Sequence, residues 1–238
     1  MSVTLELVYT LRPDLYDVIY SYKDYAAESA RIVEIARGHN PAARTLLDVA
    51  CGTGRHLEHL RSSFETEGVD ADEDMLEIAR ARLPGVPLAI GDMRDLDLGR
   101  RFDVVTCLFS AIGFAHDLEV LGLAAASLAR HVADGGILLL EPWVTPEQWV
   151  SSRPHVLATE QAGLSVARVA LSGRVGRIST VEMQYLVAAP DGITHFSEHL
   201  EFGLFTHDEM RGALEATGLS VAHDPAGLIG RGLWLGLR

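Results

Sequence analysis

Cysteine is scarce in this chain: Cys51 and Cys107 are the two present in 238 residues. That is too few for a disulfide scaffold and fits a reducing compartment. Both are expected at strand ends as small buried fillers. Long apolar runs are missing as well. Stretches such as Gly135-Gly136-Ile137-Leu138-Leu139-Leu140 are strand-sized and far short of a membrane span. The N-terminal MSVTLELVYTLRPD has no basic region leading into an apolar segment, so neither a secretory signal nor a membrane partner is expected, and a cytoplasmic protein is. Basic charge is also in deficit. With 20 Lys and Arg against 33 Asp and Glu, the net charge of -13 argues against a general nucleic-acid binder, which needs a basic footprint for phosphates. A small anionic ligand remains compatible, because a few local arginines can hold a diphosphate.

Several catalytic signatures are absent too. No Gly-x-Ser-x-Gly elbow occurs, which speaks against hydrolysis. His56 and His59 lack a cysteine or compact acidic partner at ligand spacing. His195 and His199 stand four apart, the helical spacing, in a segment that reads as strand. No metal is expected.

What is present is enough for one substantial core, with 48% hydrophobic residues. A single domain over residues 1–238 is expected. Residues 12–37 suggest a short helix, a break, and a helix from about Tyr25, ended by Asn40-Pro41. Strand patterns at Thr45–Val49, Phe64–Val69, Pro87–Ile90, Phe102–Leu108 and Gly135–Glu141 then alternate with helical ones at Arg55–Arg61, Glu73–Arg82 and Leu118–His131. This alternation predicts an α/β fold, a parallel Rossmann-like sheet with helices on both faces. From Pro142 the pattern changes to short Val, Leu, Ile and Tyr runs between Gly and Pro-Asp-Gly turns, which is antiparallel material. Residues 142–205 are therefore read as an antiparallel insertion that covers the active site or pairs with a second subunit. Thr206–Gly218 reads as a helix capped by Thr206 with Glu209, and Leu233–Leu237 as a last strand.

The stretch Leu46-Leu47-Asp48-Val49-Ala50-Cys51-Gly52-Thr53-Gly54-Arg55 carries the chemistry. Gly52 and Gly54 let the turn after a strand approach a ligand backbone-first. Leu57 stands where a dinucleotide fingerprint would need its third glycine. Asp48 ends the strand, where it anchors the turn or reaches a ligand ammonium through water. Asp70 closes the second strand, where an acid accepts hydrogen bonds from both ribose hydroxyls; Asp72, Glu73 and Asp74 are placed to cap the next helix. Asp92 follows the third strand beside an adenine amine, with the Met93 amide near the ring, and Leu108 covers the other face. Together these describe a pocket for a nucleoside cofactor without phosphate.

The runs LLDVACGTGRHLEHL, DADEDMLEIARARLPG, GDMRDLDLGRRFDVV and CLFSAIGF resemble the class I methyltransferases. With YKDYAAE, EPW and GLIGRGLWLGL, in this order, the whole chain resembles the N,N-dimethyltransferases that act on dTDP-linked 3-amino-3,6-dideoxyhexoses in macrolide sugar pathways. The resemblance implies S-adenosyl-L-methionine as cofactor, a dTDP-amino sugar as substrate, and a homodimer. It places Ala50, Asp70, Asp92, Met93 and Leu108 at the cofactor and Tyr25 over its methionine end. Tyr16 matches a tyrosine that reaches the sugar. Lys23, the segment Trp143, Val144 and Thr145, Arg168 and Arg231 match the surroundings of the nucleotide and diphosphate. Two departures stand out: Phe114 and Val144 occupy positions where the family usually has Tyr or His and an aromatic residue. Loss of a polar ring at Phe114 leaves Tyr16 to orient the amine and His116 as the nearest histidine to accept its proton. Other acceptors compatible with these residues are a different small amine or a carboxylate, and a protein that binds the cofactor without catalysis is the non-enzymatic alternative.

Overall fold

In a computed structural model the described residues are 13–161 and 163–238, so most of the N-terminal stretch searched for a signal lies outside them. Two helices lead in, α1 (Pro13–Ile19) and α2 (Tyr25–His39), the second capped by the Asp24 carboxylate on the Ala27 amide. Then come β1 (Thr45–Val49), α3 (Arg55–Leu60), β2 (Glu65–Asp70), α4 (Glu73–Arg82), β3 (Leu88–Ile90), β4 (Phe102–Cys107), a 3-10 turn at Ala111–Phe114, α5 (Leu118–Arg130) and β5 (Val132–Leu140). Four long strands follow, β6 (Pro154–Gln161), β7 (Leu164–Val175), β8 (Ile178–Ala189) and β9 (Gly192–Gly203). The chain returns through α6 (His207–Glu215), β10 (Ser220–Asp224) and β11 (Leu233–Leu237).

These strands form two sheets. The larger runs β10-β11-β5-β4-β1-β2-β3, with β1 to β5 parallel and the β10–β11 hairpin added antiparallel beside β5. Its central strands β1, β4 and β5 are buried on both faces over most of their length, which is why Leu46-Leu47 and Ile137-Leu138-Leu139-Leu140 read as unbroken apolar runs. Leu46, Val104, Ile137 and Leu139 face α2, α3 and α4, whereas Leu47, Val105, Leu138 and Leu140 face α5 and α6. Successive residues point to opposite sides, as the pleat requires. α6 begins with the capping box foreseen at Thr206 and Glu209. β10, absent from the sequence reading, is a short half-buried edge strand.

The second sheet is the antiparallel β6-β7-β8-β9 within the segment 142–205. Its inner face, with Val166, Met183, Tyr185 and Leu200, packs on Leu15, Val18 and Ile19 of α1. The outer face leaves Val156, Val169, Leu186 and Ile193 exposed. β9 also crosses the 3-10 turn at the end of β4, which brings this sheet to the rim of the first.

Candidate active site

The carboxyl ends of β1 to β4 open into a cavity of about 790 Å³, at the point where the strand order turns outward from β1 in both directions. Crevices at such switch points are where open α/β sheets bind ligands. The turn after β1 is shaped for close approach: Ala50, Gly52 and Gly54 all have left-handed backbone, at φ of 60°, 55° and 77°. The two glycines differ in their surroundings. A Cβ on Gly54 would stand 2.6 Å from Leu83 Cδ1, whereas a Cβ on Gly52 would meet no protein atom within 4 Å. Gly52 lines the cavity, so the room beside it is room for a ligand.

Asp70, the last residue of β2, ties this turn to the next. Its Oδ2 accepts the Gly52 N–H at 2.6 Å and its Oδ1 accepts the Asp72 N–H at 2.9 Å. Burial pushes its carboxyl upward against those hydrogen bonds. Asp72 caps α4 through the Asp74 and Met75 amides, leaving Asp70 facing the cavity. Met93 and Leu108 line the opposite side. Asp92 lines it too, but its carboxylate is paired with the Arg94 guanidinium; burial raises its pKa less than Arg94 lowers it, and the net shift is down. Arg94 therefore stands where the sequence suggested an adenine amine alone.

Across the cavity lie Tyr16 from α1, Phe114 from the 3-10 turn, and His116. The His116 Nε2 is 3.1 Å from the Glu201 carbonyl oxygen. A carbonyl only accepts, so Nε2 carries the hydrogen and Nδ1 is the lone-pair nitrogen of the neutral ring. His199, Leu200 and Glu201 of β9 complete this wall, a contribution the sequence did not disclose. His199 is engaged by the Glu182 and Glu201 carboxylates and His195 by Gln184. Among the described residues no group of three or more His, Cys, Asp or Glu is placed to hold a metal ion.

Other named residues stand off the cavity wall. Asp48 lies beneath the turn, 2% exposed, accepting a hydrogen bond from Thr106 Oγ1 at 2.7 Å. Burial pushes its carboxyl up to about 6 despite His56 and that hydrogen bond. Gly54 packs on α4. Tyr25 is buried at the start of α2, edge-on to His56 at 4.9 Å, with the Lys23 and Arg55 cations each 5.2 Å from its ring. Lys23, expected near a diphosphate, instead gives its ammonium to both Glu28 oxygens at 2.8 and 3.0 Å, and Glu28 also meets His56 Nε2 at 2.8 Å. A buried cation takes the nearest anion, and Glu28 stands on the adjoining helix turn.

The remaining candidates divide in two. Trp143, Thr145 and Arg231 line a separate recess of about 10 Å³, room for one water, while Val144 is half-buried between Trp143 and Thr145. Arg231 Nη1 donates to Ser110 Oγ at 3.0 Å, and its guanidinium lies 5.0 Å from the Trp143 ring. Arg168 is on the inner face of β7, 8% exposed, 5.8 Å from the Tyr20 ring and with its Nε unpartnered. Nearby, the Tyr185 hydroxyl donates to Glu198 at 3.0 Å, and burial lifts that carboxyl to about 7.

Between cavity and recess stands a feature with no sequence signal. Phe109 and Ser110 are both left-handed, at φ of 50° and 65°, a strained state for non-glycine residues that concentrates at functional sites. Fully buried Glu141 holds them, accepting the Phe109 N–H at 2.7 Å, and Ser110 Oγ donates to the Pro142 carbonyl at 2.8 Å. The Phe109 ring forms a partition with Lys23 4.2 Å from it on one side and Arg231 at 5.8 Å on another.

Comparison with known proteins gives this geometry its context. A model of the methyltransferase domain matches residues 46–136. The dTDP-3-amino-3,6-dideoxy-alpha-D-glucopyranose N,N-dimethyltransferase of Streptomyces fradiae is 46% identical over 94% of this chain and 89% of its own length. The crystal structure of Streptomyces venezuelae DesVI matches with a TM-score of 0.91 at 43% identity, covering 94% of this chain and 97% of that one. CalS10, an amino pentose methyltransferase from Micromonospora echinaspora whose structure was solved with S-adenosylmethionine bound, matches with a TM-score of 0.87 at 40% identity over 94% and 96% of the two chains.

Proposed function

The chain belongs to the S-adenosylmethionine-dependent N-methyltransferases of dTDP-linked amino sugars, and on that premise we propose that it dimethylates the amine of a 3-amino deoxysugar. The observation that carries this reading is likeness over nearly the whole length to a 3-amino-sugar dimethyltransferase, antiparallel sheet included, because that sheet supplies part of the cavity wall. The residues present fit the cofactor: the open space at Gly52 accepts a backbone-first approach, and the Asp70 carboxylate faces it to receive ribose hydroxyls. When bound, S-adenosylmethionine supplies a sulfonium methyl group to the amine lone pair as the sulfur–carbon bond breaks.

The protein's part is alignment and an unprotonated amine, and alignment alone is worth several kcal/mol. Tyr16 orients the amine. Burial favours the neutral form over the ammonium, and His116 Nδ1, left as acceptor by the Glu201 contact, takes the departing proton. Ala50, Gly52, Met93 and Leu108 shape the nucleoside pocket; Asp92 joins them if Arg94 turns aside. Asp48, Gly54 and Tyr25 act from behind that wall, holding the turn and the methionine end. Trp143, Val144, Thr145 and Arg231 border the nucleotide from the far side of the Phe109 ring and Arg168 from the antiparallel sheet, while Lys23, held by Glu28, steadies that ring from its other side. The segment 142–205 covers the cavity through β9. Its exposed outer face, with Val169 and Leu186, supports a homodimer. Among the described residues no helix is long and apolar enough to cross a membrane, and two buried free thiols suit the cytoplasm.

Mass-spectrometric turnover with S-adenosylmethionine and dTDP-amino sugars differing in amine position tests this function. Gain of one and then two methyl masses on a 3-amino sugar is expected. No gain on any of them, with cofactor bound, refutes it.

A further inference from the structure

Glu141 follows the last residue of β5, and its N–H donates to the Cys107 carbonyl at 2.9 Å, which closes the ladder between β5 and β4. Its side chain is fully buried. Oε2 accepts the Phe109 N–H, while Oε1 meets no hydrogen-bond partner among the described residues. Burial pushes this carboxyl upward, and the Phe109 N–H, Lys23 and Arg231 all pull against it. A carboxylate here is costly twice over: it is taken out of water, and it sets a negative charge near Arg231, the cation that borders an anionic nucleotide.

What the carboxylate supplies is a backbone conformation. Phe109 and Ser110 are left-handed one after the other as the chain leaves β4, and the Glu141 side chain grips the first while the carbonyl of Pro142, its neighbour, grips the second. Ser110 is 1% exposed and turned so that its Oγ donates to Pro142 and accepts from Arg231 Nη1. The Arg231 guanidinium is thereby kept between the Phe109 and Trp143 rings.

We propose that Glu141 is a positioning residue for the nucleotide: by fixing the left-handed Phe109–Ser110 step it holds Ser110 Oγ against Arg231 and aims that guanidinium at the diphosphate. The proposal rests on the dTDP-amino sugar reading above. Charge and position here act with opposite signs. Replacing Glu141 by Leu removes a negative charge from beside a bound diphosphate, which by Coulomb attraction alone would tighten the binding of an anion. Released from Glu141, the step lets Arg231 drift, and binding weakens.

Calorimetric titration with dTDP, on protein saturated with S-adenosylhomocysteine, reads that sign. Glu141→Leu is expected to bind dTDP at least about ten-fold more weakly, the loss of a hydrogen bond to a charged group, while its affinity for S-adenosylhomocysteine stays within about three-fold. Glu141→Gln, whose side-chain oxygen still accepts the Phe109 N–H, is expected to recover dTDP binding to within about three-fold of the unaltered protein. Ser110→Ala is expected to weaken dTDP binding at least about five-fold, and to add no more than about two-fold to Glu141→Leu, because both act through one contact. Unchanged or tighter dTDP binding by Glu141→Leu overturns the proposal. If that variant does not fold, Ser110→Ala binding dTDP as tightly as the unaltered protein overturns it by itself. Glu141→Gln binding as weakly as a variant without the acceptor overturns it too. Failure of the unaltered protein to bind dTDP while it binds S-adenosylhomocysteine overturns the nucleotide reading itself, a result distinct from the others.

Discussion

Gly52→Ala and Gly54→Ala alter one turn two residues apart and are expected to fail in different ways. At Gly54 the new methyl meets Leu83 Cδ1 at 2.6 Å and Ala79 Cβ at 3.3 Å, in a backbone at φ 77°. Left-handed strain of about 1–2 kcal/mol and overpacking of about 1–3 kcal/mol sum to about 2–5 kcal/mol. For a chain of this size that lowers Tm by roughly 5–15 °C. At Gly52 the methyl meets no protein atom, so strain of about 1–2 kcal/mol acts alone. Its methyl enters the ligand space instead, and affinity for S-adenosylhomocysteine is expected to fall at least about ten-fold, or 1.4 kcal/mol. Melting curves with and without S-adenosylhomocysteine, joined to calorimetric titration, separate the two. A ligand at about 100 times its Kd stabilises by about 2.7 kcal/mol; Gly54→Ala is expected to keep most of that upward shift and Gly52→Ala to lose it. Binding by Gly52→Ala as tight as in the unaltered protein would show that the space beside this glycine is not the cofactor's.

Asp70→Asn keeps one acceptor oxygen but loses the charge and an acceptor, so calorimetry is expected to show at least about ten-fold weaker S-adenosylhomocysteine binding; unchanged affinity removes Asp70 from the ribose role. Asp48 supplies a pH signature. Its carboxyl is raised to about 6 in the fold, so its stabilising share is fully present below the unfolded value near 3.8 and is lost as pH rises through 6. Asp48→Asn is therefore expected to gain stability over the unaltered protein between pH 5 and pH 8, by about 1–3 kcal/mol in denaturant melts; a difference flat with pH contradicts a buried, uncompensated carboxylate. Tyr16→Phe is expected to lower kcat while the affinity for S-adenosylhomocysteine stays within about two-fold, and equal losses in both would make Tyr16 a cofactor residue. His116→Asn is expected to lower kcat about 100-fold with the proton acceptor gone while S-adenosylhomocysteine binding is kept; an unaltered kcat assigns that proton to solvent.

Much of the central sheet was readable because strands buried on both faces leave continuous apolar runs, as at Leu46-Leu47 and Leu138-Leu139-Leu140. The place of Asp70 at the end of β2, facing the cavity, was readable for a related reason: the strand stops where separate acids begin to cap α4. The cation placements were not. Lys23 meets Glu28 across the start of α2, while Arg168 and Arg231 lie on different sheets, and no spacing rule predicts which anion a cation will find. Nor does a left-handed Phe109-Ser110 step have a sequence signature, since glycine, the usual marker of that conformation, is missing there. It exists because Glu141, at the end of another strand, holds the Phe109 amide. β10 escaped because five edge residues, three half-buried and two exposed, carry too weak an alternation.

The tie between Ser110 and Arg231 spans 121 residues of chain. Local turns and neighbouring parallel strands can gather as the polypeptide leaves the ribosome, but pairings of such high sequence separation form late. The side of the cavity that holds Arg231 is therefore completed only by the last stretch of the chain, and a change in the segment just before β11 reaches the turn after β4 without touching any residue between them.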